Sequence, residues 1–172
     1  NEAFLSLGTS GVYFVANEDY QPNPESAVHT FCHCIPNTWH QMSVILSAAS
    51  CLTWVTKLTG FDDEQSLLDE VAKQDFTQPC SVLFLPYLSG ERTPHNNPNA
   101  QGVFFGLDHN TDAAELGRSV LEGIAFAFAT TFVGSAAGAA CKLVAEDVSV
   151  PMIVFIQYAI CLLVMLPRYM GK

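Results

Sequence analysis

The sequence predicts a mixed α/β domain followed by an apolar helical tail. Short β-type runs bounded by Gly and Pro turns alternate with segments of helical period, which is the pattern of an α/β class. Apolar residues fill 49% of the 172 positions, enough for a packed core of about one domain. Charge then disappears for 19 positions, from Gly123 to Cys141.

The elements follow in order. Phe4–Leu7 and Val12–Ala16 read as strands, joined by the tight turn Gly8-Thr9-Ser10-Gly11. Asn17 to Ser26 is a polar loop with Pro22 and Pro24. Val28–Cys34 and Trp39–Val44 form a second strand pair across Pro36-Asn37-Thr38. Ile45 to Leu58 carries Leu46, Ala49, Leu52, Val55 and Leu58 on one side, a helix that Gly60 ends. Asp62 or Asp63 caps a second helix, Glu64 to Lys73, with Leu67, Leu68 and Val71 inward. Ser81–Leu85 is a buried-type strand, and Gly102–Leu107 is strand-like. The polar loop Ser89–Gln101 between them is stiffened by Pro94 and Pro98. Thr111 or Asp112 caps a helix to Phe128 bearing Leu116, Val120, Leu121 and Ile124.

Beyond it, the uncharged stretch from Gly123 is long enough for a membrane span, which takes about 20 residues. Its small residues Gly134 to Ala140 suit close helix packing in a bilayer. Met152–Leu166 is apolar except for Gln157, and Arg168 and Lys172 after it would put the end of the chain on the cytoplasmic side. The expectation is membrane association through residues 123–167, against the plainer reading of two buried helices.

Composition excludes some functions. Asp and Glu number 17 against 7 Lys and Arg, a net charge of −10, and the bases are scattered, so no nucleic-acid partner is expected. Asn1 to Phe14 lacks the basic start and unbroken apolar run of a secretory leader. The six cysteines, at 32, 34, 51, 80, 141 and 161, are therefore expected as free thiols, with Cys51 and Cys161 buried. The group His29, Cys32, His33, Cys34, His40 invites a zinc reading. Cys32 and Cys34 are only one residue apart and no second pair answers them, so a strand with core thiols is preferred and no metal site is expected.

The candidate chemistry lies in Leu7-Gly8-Thr9-Ser10-Gly11. Two glycines let the backbone bend tightly and approach a ligand, exposed amides can cradle an anion, and Thr9 and Ser10 add hydroxyls. An ordinary hairpin turn has the same composition.

Four blocks of sequence carry a family resemblance. Leu5 to Phe14 resembles the second phosphate-binding hairpin of the FGGY carbohydrate kinases, which have an actin-like, ribonuclease-H-like fold. Ser26 to His33 with Pro36, Trp39-His40 and Met42-Ser43, and Phe84 to Pro98, look like the xylulokinase branch. Gly102 to Leu107 with Glu115-Leu116 and Ser119 to Glu122 matches the family's C-terminal signature. The likeness covers about residues 1–128, a partial C-terminal kinase domain, and leaves 129–172 as the tail.

The resemblance implies that Gly8, Thr9, Ser10 and Gly11 hold the β- and γ-phosphates of ATP. It also implies that Ala49, in the helix opening Ser47-Ala48-Ala49-Ser50, lies against the nucleotide. Arg92 and His95 would be cleft residues, although Glu91 and Arg92 could equally form a surface ion pair. ATP and Mg2+, a ketopentose acceptor (D-xylulose), dimerisation and a cytoplasmic location are implied likewise. Three family features are missing: the aspartate base and the sugar-binding domain, both upstream of the hairpin in the family, and the Gly-Gly-Gly-Ala turn for the adenine end. With Asn1 in place of Met, the chain reads as a piece that is inactive alone. From Phe132 to Pro167 the tail resembles the first membrane helices of EamA-type drug/metabolite transporters. That suggests a rearranged gene, or alternatively a membrane-anchored module without catalysis.

Overall fold

β-branched and aromatic residues put Ala3–Leu7 (β1) and Gly11–Asn17 (β2) into an antiparallel hairpin with Leu7 opposite Gly11. The computed structural model describes residues 3–144. His29–Cys32 (β3) and Trp39–Ile45 (β4) form the second antiparallel pair, and β4 also pairs with β2. The sheet order is β1-β2-β4-β3. Ala49–Thr59 (α1) and Glu64–Val71 (α2) follow, then the two-stranded sheet Leu83–Leu85 (β5) and Val103–Phe105 (β6), and last Ala113–Val144 (α3).

The ends of the helices follow local chemistry. Gly60 closes α1 in the left-handed region, φ 78°, with its N–H on the Lys57 and Thr56 carbonyls. Asp63 caps α2 by accepting from the Ser66 amide at 2.7 Å, and Asp112 accepts from the Glu115 amide at 2.8 Å at the start of α3. The start of α1 differs from the helix expected from Ile45. Ile45 is still strand, opposite Gly11 in the ladder, and the chain turns through Leu46–Ala48 before winding. Ladder pairing outweighs the helical period there.

Ile45, Ala48, Cys51 and Val55 meet Leu67 and Val71 of α2, Phe84 of β5, and Val120 and Ile124 of α3 in one core. Trp54 lies against both Phe84 and Phe104, with ring centroids 5.9 Å from each. Gly123 of α3 sits on β5 so closely that a Cβ there would be 2.5 Å from the Phe84 carbonyl oxygen. One edge of the sheet is uncovered: Phe4, Leu5 and Leu7 of β1 are 55%, 58% and 61% exposed.

The membrane expectation is corrected over residues 123–144. Gly123, Ile124 and Thr131 are buried in this domain, and the Thr131 hydroxyl lies 3.4 Å from the Thr93 carbonyl. The missing charge there is explained in part by packing on protein. Among the described residues, no helix is long and apolar enough to cross a membrane. The second apolar run, 152–166, lies outside the described residues, as does Cys161.

The thiol expectation is also corrected in part. Cys51 is buried and free, but Cys32 and Cys34 are exposed. β3 is an edge strand that stops at Cys32, and the chain then turns, with the His33 amide on the Thr38 carbonyl at 2.9 Å. Among the described residues, no group of three or more His, Cys, Asp or Glu is placed to hold a metal ion.

Candidate functional site

Gly8, Thr9 and Ser10 form the turn between β1 and β2, with Gly8 and Thr9 exposed. The turn rests on the N-terminus of α1. That helix opens with Ala48 and Ala49, neither of which has a side chain to cap its free amides. The hairpin caps them instead. The Gly8 carbonyl accepts from the Ala49 amide at 2.9 Å, and the Thr9 carbonyl from the Ala48 amide at 2.9 Å. Thr9 also accepts from the Ser50 amide at 3.4 Å and the Ser50 hydroxyl at 2.8 Å.

This cap decides where the turn's own amides point. In a trans peptide, C=O and N–H are anti to each other. The Gly8 carbonyl shares its peptide with the Thr9 N–H, and the Thr9 carbonyl shares its peptide with the Ser10 N–H. Both carbonyls face α1, so both N–H groups face away from it. Among the described residues, neither N–H has an acceptor. Two consecutive outward donors, with the Thr9 and Ser10 hydroxyls beside them, make a concavity suited to an anion. The positive end of the α1 dipole behind them adds to that suitability.

The two glycines differ. A Cβ at Gly8 would meet nothing nearer than the Ser10 carbonyl oxygen, 3.7 Å away. A Cβ at Gly11 would be 2.3 Å from Phe128 Cζ and 2.6 Å from Ile45 Cγ1, so packing demands glycine at Gly11. Ala49 is the first residue of α1, and its contact with the hairpin is made by its backbone. The five expected residues are thus brought together.

The polar loop lies against the end of β4 that adjoins the hairpin turn, one rung from the Gly11–Ile45 pair. Thr93 donates its N–H to the Val44 carbonyl at 3.1 Å and accepts from the Val44 amide at 3.1 Å through its hydroxyl. Glu91 and Arg92 do not pair on the surface. Glu91 is 2% exposed, and one carboxyl oxygen accepts from the Leu46 amide at 3.2 Å and the Arg92 amide at 2.7 Å. The other oxygen is buried without a hydrogen-bond partner. Burial raises this carboxyl above the usual carboxylate range, opposed by the two amides. The Cys51 thiol is pushed up to about 12, by burial first and then by Glu91. Arg92 Nη1 lies 2.7 Å from His29 Nε2, and His95 Nε2 lies 3.2 Å from the Tyr87 hydroxyl. Neither Arg92 nor His95 makes a hydrogen bond to the hairpin.

Sequence reading missed Ser50 and the burial of Glu91. Neither had a local signal, since both bonds join positions more than 40 residues apart in the chain.

Residues 3–137 match the C-terminal domain of the FGGY family of carbohydrate kinases. The chain is 59% identical over 129 residues to a xylulose kinase of Escherichia coli K12, covering 75% of this chain and 26% of that protein. It is 58% identical over 128 residues to a xylulose kinase of Klebsiella pneumoniae, with 74% and 26% covered. A solved xyloylose kinase from Brucella ovis superimposes with TM-score 0.72 at 53% identity, over 79% of this chain and 28% of that one. Plasmodium falciparum glycerol kinase, solved with ADP, gives 0.64 at 25% identity over 77% and 26%. The chain spans about a quarter of the length of the curated relatives it matches. The transporter likeness of the tail receives no support, since the kinase match runs through residue 137, past its expected start at Phe132. The outward amides therefore sit in a known sequence setting: the chain belongs to the FGGY family of carbohydrate kinases and contains the family's C-terminal domain over residues 3–137.

Proposed function

We propose that this chain is the phosphate-gripping part of a xylulose kinase, a sugar kinase that transfers the γ-phosphoryl group of MgATP to a hydroxyl of D-xylulose. The observation that carries this reading is the pair of unpartnered amides, Thr9 and Ser10, turned away from α1. The names of the relatives support the pentulose acceptor, and the ADP in the glycerol kinase supports the nucleotide.

Phosphoryl transfer depends mainly on positioning the phosphates and neutralising their charge. Gly8 lets a phosphate oxygen approach the turn without meeting a Cβ. The Thr9 and Ser10 amides would donate to the β- and γ-phosphate oxygens, with both hydroxyls as further donors. Mg2+ would arrive on the phosphates as part of the substrate. We further propose that the chain alone does not turn over. Its support is that the chain spans about a quarter of its relatives' length, and that Glu91, buried and held by backbone amides, is not placed as a base for a sugar hydroxyl.

The test is an ATP titration followed at the Thr9 and Ser10 amides by NMR, together with a coupled assay for xylulose-dependent ADP formation. The expected result is a response at those two amides with no turnover. Silent amides would remove the hairpin reading, and measurable turnover would remove the inactivity.

A further inference from the structure

We propose that Ser50 is a positioning residue for the phosphate hairpin, fixing the plane of the Thr9–Ser10 peptide through the Thr9 carbonyl. The proposal rests on the reading of the hairpin as a phosphate site. It assigns a role to a side chain that lies 41 positions from the turn and donates to its backbone.

The Thr9 carbonyl accepts from three donors, and Ser50 supplies two of them. The hydroxyl bond, 2.8 Å, is shorter than either amide bond to the same oxygen. Ser50 is the second residue of α1, one position past Ala49. A hydroxyl at a helix start commonly bonds to an amide of its own helix, but this one reaches across to the hairpin. Without the hydroxyl, the carbonyl keeps only the Ala48 amide at 2.9 Å and the long Ser50 amide at 3.4 Å, and can rock between them. A carbonyl held from three directions cannot, and the Ser10 N–H on the same rigid peptide is then aimed before a ligand arrives.

The full chain, labelled with 15N, is titrated with sodium tripolyphosphate, and the Thr9 and Ser10 amide shifts are followed. In Ser50→Ala the apparent Kd at these amides is expected to rise about three- to tenfold, with the thermal midpoint close to the parent's and Ser50→Thr restoring the affinity. A merely structural role would lower the midpoint without changing the Kd. Should Ser50→Ala fail to fold, the isosteric pair Ser50→Thr and Ser50→Val decides. Threonine near wild type with valine weak supports the proposal, and equal affinities overturn it. If the parent binds and Ser50→Ala binds equally well, the positioning role is overturned while the hairpin reading stands. If the parent amides do not respond to tripolyphosphate, the hairpin reading fails and the role of Ser50 fails with it.

Discussion

Gly8 and Gly11 bound the same turn, yet alanine at each is expected to do opposite things. At Gly11 the new Cβ would sit 2.3 Å from Phe128 Cζ, 2.6 Å from Ile45 Cγ1 and 2.7 Å from Ile45 Cδ1. Phe128 can swing outward, but Ile45 is among the most deeply buried side chains of the core. Overpacking of this kind costs about 1–3 kcal/mol. At Gly8 the nearest atom is 3.7 Å away and φ lies outside the left-handed region, so alanine fits. A compatible Gly→Ala exchange changes stability by roughly +0.4 to +1 kcal/mol through the unfolded chain. Urea denaturation followed by circular dichroism separates the two. With an m-value near 1.5 kcal/mol/M, a 2 kcal/mol loss lowers the midpoint by roughly 1.3 M. Gly11→Ala should show a loss of that order at unchanged m, partly restored by Phe128→Leu. Gly8→Ala should stay at or above the parent midpoint. An unaffected Gly11→Ala would mean that Phe128 does not pack over the hairpin. A Gly8→Ala loss above about 1 kcal/mol would mean that the fold itself needs glycine there, and that Gly8 is not kept free for a ligand.

Arg118 is buried in α3. Its Nε lies 3.0 Å from Glu122 Oε1, its Nη1 2.9 Å from the Asp75 carbonyl, its Nη2 bonds to the Gln78 carbonyl, and its guanidinium lies 4.7 Å from the centre of the Phe76 ring. Arg118→Met should lose about 2–3 kcal/mol in the same denaturation assay, and Arg118→Lys should recover little because it lacks the fork. Glu91 has a folded pKa raised by burial, so its proton is held more tightly in the native state. Stability should therefore fall as pH rises from the ordinary carboxylate value through the folded one. Glu91→Gln should flatten that limb. His29 and His40, both lowered chiefly by burial, act with the opposite sign below about pH 6.5, so the difference between parent and Glu91→Gln is the quantity to plot.

The hairpins, the Gly60 stop and a cap at Asp62 or Asp63 could be read in the sequence because each depends on a few neighbouring residues. The first residue of α1 could not. Leu46, Ala49 and Leu52 have helical spacing, but Ile45 belongs to a ladder with Gly11, 34 positions earlier, and one-dimensional period cannot see that pairing. Burial at Glu91 was hidden for the same reason, since the amide that receives it belongs to Leu46. The run from Gly123 misled in another way. Lack of charge marks any surface removed from water, and for Gly123 and Ile124 that surface faces β5 and the core.

The site, by contrast, could be read as composition but not as mechanism. A glycine-rich turn beside a helix start usually suggests that the helix amides themselves take the anion. Here the Ala48, Ala49 and Ser50 amides are engaged by the Gly8 and Thr9 carbonyls. Those first-turn amides are not free for a phosphate. What the helix supplies is orientation. By holding two carbonyls, it turns the next two N–H groups outward and polarises the peptides between them.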